Sequence, residues 1–187
     1  MAITDLLARY GKQNMGGLKN IAHLIPLADL DDATPFVTSA AGKLDFSTNL
    51  VAKETKRFYQ MYSTPQKGHH DGNSVGEVDG KSKENIYEFF YPGNEQECAE
   101  FEAFILNTPC VIVFYDPKGN KRVLGLAVMD FASTAITTEI TCHLDVANSL
   151  SGAAYADLAG TTLAFKHAAP HPPLFYKGAA ISIEVVV

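Results

Sequence analysis

The sequence predicts a mainly β protein, a β-sandwich or barrel with one packed amphipathic α-helix and a long polar hairpin. Three features of the 187 residues predict it. Runs rich in β-branched and aromatic residues recur at short intervals, with Gly, Pro, Asn or Asp between them. One stretch, residues 94–107, carries a convincing helical spacing of apolar residues. Residues 63–85, STPQKGHHDGNSVGEVDGKSKEN, are the least apolar part of the chain and read as a flexible loop or long hairpin tip. The length suits a single domain, residues 1–187, with material for a sizeable core.

The elements follow in order. An N-terminal arm, residues 1–17, contains TDLLARYG, a short helix that Thr4 or Asp5 caps and Gly11 stops. Gly16 and Gly17 then break the chain before an extended run ending at Pro26, and Asp31 and Asp32 mark a polar loop. Residues 36–62 read as strands with turns at AAGK and STN. After the polar stretch, NIYEFFYPG is a strand closed by a Pro-Gly turn. In the helix that follows, Asn94 is the expected cap, and Glu95 and Glu97 face the positive end of the dipole. Cys98, Phe101 and Ile105 share a face with Phe104 beside them, and Pro109 closes the helix, so one greasy side should lie on a sheet.

The β signal then strengthens. CVIVFY and KRVLGLAVMDF flank DPKGN, where Pro117 suits the second turn position and Gly119 a left-handed one. TAITTEITCHLDV is rich in β-branched residues, and LSGAAY around Ser151 reads as a turn. YADLAGTTLAFKH offers a further turn at Ala159 and Gly160, Pro170, Pro172 and Pro173 form a loop, and GAAISIEVVV ends the chain as a strand.

Composition narrows the function classes. A net charge of −6 and a pI near 5.4 argue against a nucleic-acid clamp, which needs a basic stripe. The same balance suits a passage for DNA, whose walls must not hold phosphates. No apolar run approaches the roughly 18 residues of a membrane span, and the first residues lack the pattern of a secretory signal. Cys98, Cys110 and Cys142 are too few and scattered for a disulfide framework and are expected as buried thiols of a protein made in a cytoplasm.

No catalytic, cofactor-binding or metal-binding residue is assigned. GEVDGKS imitates a phosphate loop, but Gly76 and Gly80 are one residue too close, Val75 stands where the first glycine belongs, and no clear helix follows Ser82. His69, His70 and Asp71 are the most metal-like cluster. Adjacent histidines on an extended chain point to opposite faces, however, and a third ligand at a diagnostic spacing is missing. His167 and His171 read as a turn-associated pair. Cys142 and His143 diverge as strand neighbours, Asp31 and Asp32 are loop neighbours, and Glu100 and Glu102 belong on the wet side of the helix. The aromatics Phe58, Tyr59, Tyr62, Tyr87, Phe89, Phe90 and Tyr91, near Lys56 and Arg57, could stack on bases but read better as strand core and subunit contacts.

The order of parts resembles the tail-tube proteins of tailed bacteriophages. VIVFYDPKGNKRVLGLAV is similar to a strand–turn–strand pattern in phage tail proteins, matched by Asp116, Gly119, Arg122 and Gly125. YADLAGTTLAFKHAAPHPPLFYKG is similar to their ending, matched by Asp157, Gly160, Phe165, Pro173, Tyr176 and Gly178. The likeness covers about the last 80 residues as a pattern and the first half only by order of elements. It implies a tail-tube-like protomer without enzyme activity. Six copies would form a ring and rings would stack into a hollow virion tube, filled by a tape-measure protein and later crossed by DNA. Contacts are expected from the polar hairpin, the N-terminal arm and residues 181–187, while Lys53, Lys56, Arg57, Lys81 and Lys83 gather awkwardly around the hairpin. The alternatives are another virion component (tail terminator, connector or decoration protein), a carbohydrate- or protein-binding sandwich module with a shallow site near His171, and a metal enzyme using His69, His70 and Asp71.

Overall fold

A computed structural model describes residues 16–151, 159–181 and 183. Its strands are β1 (Ile21–Pro26), β2 (Asp45–Phe46), β3 (Tyr59–Tyr62), β4 (His69–Val75), β5 (Ser82–Pro92), β6 (Cys110–Tyr115), β7 (Lys121–Leu124), β8 (His143–Leu150), β9 (Gly160–Ala169) and β10 (Leu174–Tyr176). One helix, α1 (Gln96–Ile105), lies between β5 and β6. The expected mainly β class with one helix is what the structure has. The strands form two sheets, six-stranded in the order β2-β10-β7-β6-β1-β3 and four-stranded in the order β4-β5-β9-β8.

The centre is the six-stranded sheet. Cys110, Val111, Ile112 and Val113 of β6 are all fully buried, which explains why CVIVFY is apolar at every position: both faces of its sheet are covered. On one face Leu24, Ile112, Phe114 and Leu124 meet Tyr87, Phe89, Leu163 and Phe165 of the four-stranded sheet. Helix α1 closes the same cluster with Ile105, and Phe101 packs partly against it. On the other face Ile25, Val111, Val113 and Val123 meet Phe36, Phe46, Leu50 and Phe58.

That second cover departs from expectation. Residues 36–62 were expected to be strands, yet only β2 and β3 form there. The buried apolar residues at 36, 46, 50, 52 and 58 are mostly too far apart to line one face of a continuous strand, so the segment crosses the sheet as anchored irregular chain. Bridges Leu30↔Ala52 and Val37↔Ala135 hold it. The run from Thr134 likewise becomes β8 only at His143, and before that is held by the isolated bridges Ala127↔Thr137 and Cys110↔Cys142, the second to β6.

Local details refine other expectations. Of the two expectations for the polar stretch, the long hairpin is the one that forms: β4 and the start of β5 pair from His69↔Glu88 to Val75↔Ser82, leaving 76–81 as its tip. Helix α1 begins after Glu95 without a side-chain cap. Asn94 does not cap it: its Nδ2 donates to the Leu150 carbonyl at 2.9 Å and its Oδ1 accepts from Thr161 at 3.3 Å, which ties the helix entry to β8 and β9. The helix stops at Asn107, whose φ of 73° is left-handed, before Pro109 is reached. The DPKGN turn is as expected, with the Gly119 N–H bonded to the Asp116 carbonyl at 2.9 Å. The N-terminal helix, Asp157 and most of residues 181–187 lie outside the described residues.

Gly125 follows β7 with φ 94°, and a Cβ there would strike the Cys110 carbonyl oxygen. Gly125→Ala is therefore expected to lower stability by about 2–3 kcal/mol, read as a fall in the urea midpoint. Gly16→Ala, where nothing lies within 4 Å, is the control and should move it little.

Candidate functional site: the outer face and edges of the four-stranded sheet

Alternation assigns the side chains of the four-stranded sheet to two faces. Asn85, Tyr87 and Phe89 of β5 and Leu163, Phe165 and His167 of β9 are buried between the sheets. The opposite set, read from register, forms an outer face: His69, Asp71 and Asn73 of β4, Glu84, Ile86 and Glu88 of β5, Thr162, Ala164, Lys166 and Ala168 of β9, and His143, Val146 and Asn148 of β8. Asp145 joins them at a β-bulge between Leu144 and Val146 and acts on Lys166 electrostatically.

This face is acidic. Asp71, Glu84, Glu88 and Asp145 oppose a single ammonium, Lys166, whose Nζ pairs with Glu84 at 2.7 Å. That hydrogen bond, with the charges of Glu84 and Asp145, raises the lysine pKa. His69 lies 3.6 Å from Asp71 and 3.7 Å from Glu88, contacts long and exposed enough to contribute little. Ala164, Ala168 and Thr162 leave the middle of the face low and smooth.

Both edges are open among the described residues. β4 pairs only with β5, and β8 only with β9. Every residue of β8 except Leu144 is exposed, with Val146 at 46% and Leu150 at 49%. Short of Leu150, whose carbonyl accepts the Asn94 amide, such an edge offers backbone N–H and C=O groups flanked by apolar side chains, a template for another strand. The bulge at Asp145 is its one blunting device.

No family model, curated protein or solved structure matches the chain. The likeness to tail-tube proteins thus rests on the sequence pattern and the order of elements.

The candidates from sequence are scattered. His69 and His70 do point to opposite faces, the second inward with its ring stacked on Phe114 at 5.3 Å. Among the described residues no group of three His, Cys, Asp or Glu is placed to hold a metal ion. Gly76 and Gly80 bound the hairpin turn, where the Gly80 N–H bonds the Glu77 carbonyl at 3.2 Å. Phe58, Tyr87, Phe89 and Phe90 are buried, so they are core and not a stacking platform, while Arg57 stacks over Tyr59 at 5.2 Å. The cations do not gather at the hairpin: Lys56 pairs with Asp29 at 3.0 Å and Lys53 donates to the Ala28 carbonyl at 3.0 Å, leaving Lys81 and Lys83. All three cysteines are buried and free. No described helix is long and apolar enough to cross a membrane. What sequence reasoning missed is the acidic outer face, because Asp71, Glu84, Asp145 and Lys166 become neighbours only through strand register. The alternation within KENIYEF is the one local signal for it.

His167 and His171 are not a turn pair. His167 sits inside β9, fully buried, and its ring nitrogens make no well-formed hydrogen bond, with the Ile140 backbone the one polar group close enough to act on it. Burial, helped by nearby His171 and His143, holds its pKa down at about 4. His171 Nε2 accepts the Val128 N–H at 2.8 Å while Nδ1 faces the Pro172 carbonyl at 2.7 Å. The ring is therefore neutral with the proton on Nδ1, and burial lowers its pKa as well. Unfolded histidines take up a proton near pH 6.5. The native state resists doing so until about pH 4 at His167. Stability is thus full above pH 6.5 and falls as pH drops through that window, by up to about 1.4 kcal/mol per pH unit for such a histidine. Urea midpoints at pH 7.5 and pH 5 should show the loss, and His167→Phe should reduce it.

Proposed function

We propose that this chain is a virion structural protein, most concretely the major tail-tube subunit of a tailed phage. It joins copies of itself through the free edges of its four-stranded sheet and turns the acidic face toward the bore. The observation that carries this reading is the pairing of two open, oppositely directed edges with a net-negative outer face.

Strand direction is the first support. All neighbours in the sheet are antiparallel, so with four strands β4 and β8 run in opposite senses. A rotation about an axis lying along the strands leaves strand direction unchanged. Copies related by such a rotation meet β4 against β8, antiparallel, and the alternation continues round the ring without a seam. This contact joins different surfaces, the geometry that closes into a ring or runs on as a filament. Ring closure also removes both edges, as barrels do.

Charge is the second support. Carboxylates repel phosphates within a Debye length of about 8 Å at physiological salt, so an acidic, alanine-lined wall guides duplex DNA past without gripping it. Six copies per ring, a tape-measure protein in the bore, rings stacked into a tube and a place in the virion tail belong to the same reading through the sequence resemblance.

Negative-stain microscopy of the purified chain is expected to show rings or tubes. Val146→Lys with Leu150→Lys puts two charges on the exposed edge strand and should leave a folded monomer, judged by circular dichroism and sedimentation. Compact single particles from the wild type at high concentration would sink the reading.

A further inference from the structure

A cleft of about 310 Å³ opens at the base of the β4–β5 hairpin, walled by Phe114, Pro172 and Pro173 and edged by His70, Asp116 and Arg122. Arg122 is half-buried at its floor. Its guanidinium carbon lies over the Phe175 ring, 3.6 Å from the centroid, a cation–π contact. Among the described residues no carboxylate comes within ion-pair distance of it, although the charge of Asp116 acts on it from farther off. Asp116, the nearest candidate, has both oxygens engaged by Asn120, Oδ1 accepting the backbone N–H at 2.8 Å and Oδ2 the side-chain amide at 2.6 Å. Burial lowers the pKa of Arg122, and His70 beside it is held neutral by burial and by the Arg122 charge. This is a positive charge taken partly out of water and offset only by the Asp116 carboxylate, which Asn120 also holds, so a closer anion would be favourable there.

The chain carries a matching plug. The turn of the β4–β5 hairpin presents Val78, 79% exposed, between the exposed carboxylates of Glu77 and Asp79. Gly76 at φ 96° and Asp79 at φ 70° shape the turn. An apolar side chain flanked by two acids complements a cleft with apolar walls and an arginine that makes no close ion pair among the described residues. The tip of a hairpin cannot bend back to its own base, so the complement must come from elsewhere.

We propose that the Arg122 cleft receives the hairpin tip of a second copy, with Val78 against Phe114 and the prolines and a tip carboxylate paired bidentately with the guanidinium. This rests on the self-assembly reading and adds a second contact to it. Tip and cleft are different surfaces, so the contact is head-to-tail and extends along the hairpin direction, whereas the β4–β8 contact extends across the strands. The first stacks copies and the second closes rings.

The experiment compares assemblies by electron microscopy and sedimentation. Glu77→Gln with Asp79→Asn neutralises exposed tip residues, and Asn tolerates the left-handed backbone at 79. This variant and Arg122→Gln are expected to form single rings where the wild type forms tubes. Arg122→Glu and the tip variant Glu77→Lys with Asp79→Lys should each fail to stack alone, and an equal mixture should stack. Tubes of normal length from the neutral tip variant overturn the inference while leaving ring formation standing. So does a mixture that stays as rings, which would mean that Arg122 acts on the fold alone. If inorganic phosphate shifts the His70 proton resonances in an Arg122-dependent way while tip variants still stack, the cleft serves a free anion and the docking is overturned. A wild type that forms no oligomer overturns both this inference and the proposed function.

Discussion

Everything in this fold depends on a sheet whose central strands are apolar on both sides. β6, most of β1 and the second half of β7 are buried on both faces, so both must be covered by other parts of the same chain. Burying a core side chain of the Val, Ile or Phe kind is worth about 1.5–3 kcal/mol, and the two clusters hold many. One cover is a second sheet with its helix; the other is an irregular segment pinned by phenylalanines. Only the four-stranded sheet then has a face left over for solvent, and its hydrogen-bonding edges are left over with it.

The division of labour between the covers explains what sequence could disclose. CVIVFY, NIYEFFYP and the DPKGN turn were legible because a strand's signal is local: residue type, period and a turn glycine. Helix α1 was legible for the same reason, although its cap was not, since Asn94 is drawn instead to Leu150 and Thr161, partners remote in sequence. Residues 36–62 look like strands by residue type, but the buried ones are spaced to reach the sheet beneath them rather than to line a strand of their own. His167 looked like a loop histidine beside prolines, yet the strand continues through it to Ala169. Nothing local distinguishes the two cases.

The acidic face was less legible still. Its charges come from β4, β5, β8 and β9, and only register gathers them. Net charge in the sequence hinted that phosphates would be repelled, without saying where. Arg122 presents the reverse case. A basic residue in a strand after a tight turn looks like a surface cation, and only Phe175, brought alongside by β10, shows that it is held against a ring and partly dry.

The bulge at Asp145 carries a further meaning. A straight, uninterrupted border of eight residues would zip onto almost any extended polypeptide it met in a crowded cell. A border with a kink set into it fits only a strand that can follow the bend, so the bulge narrows the range of chains able to zip onto this margin.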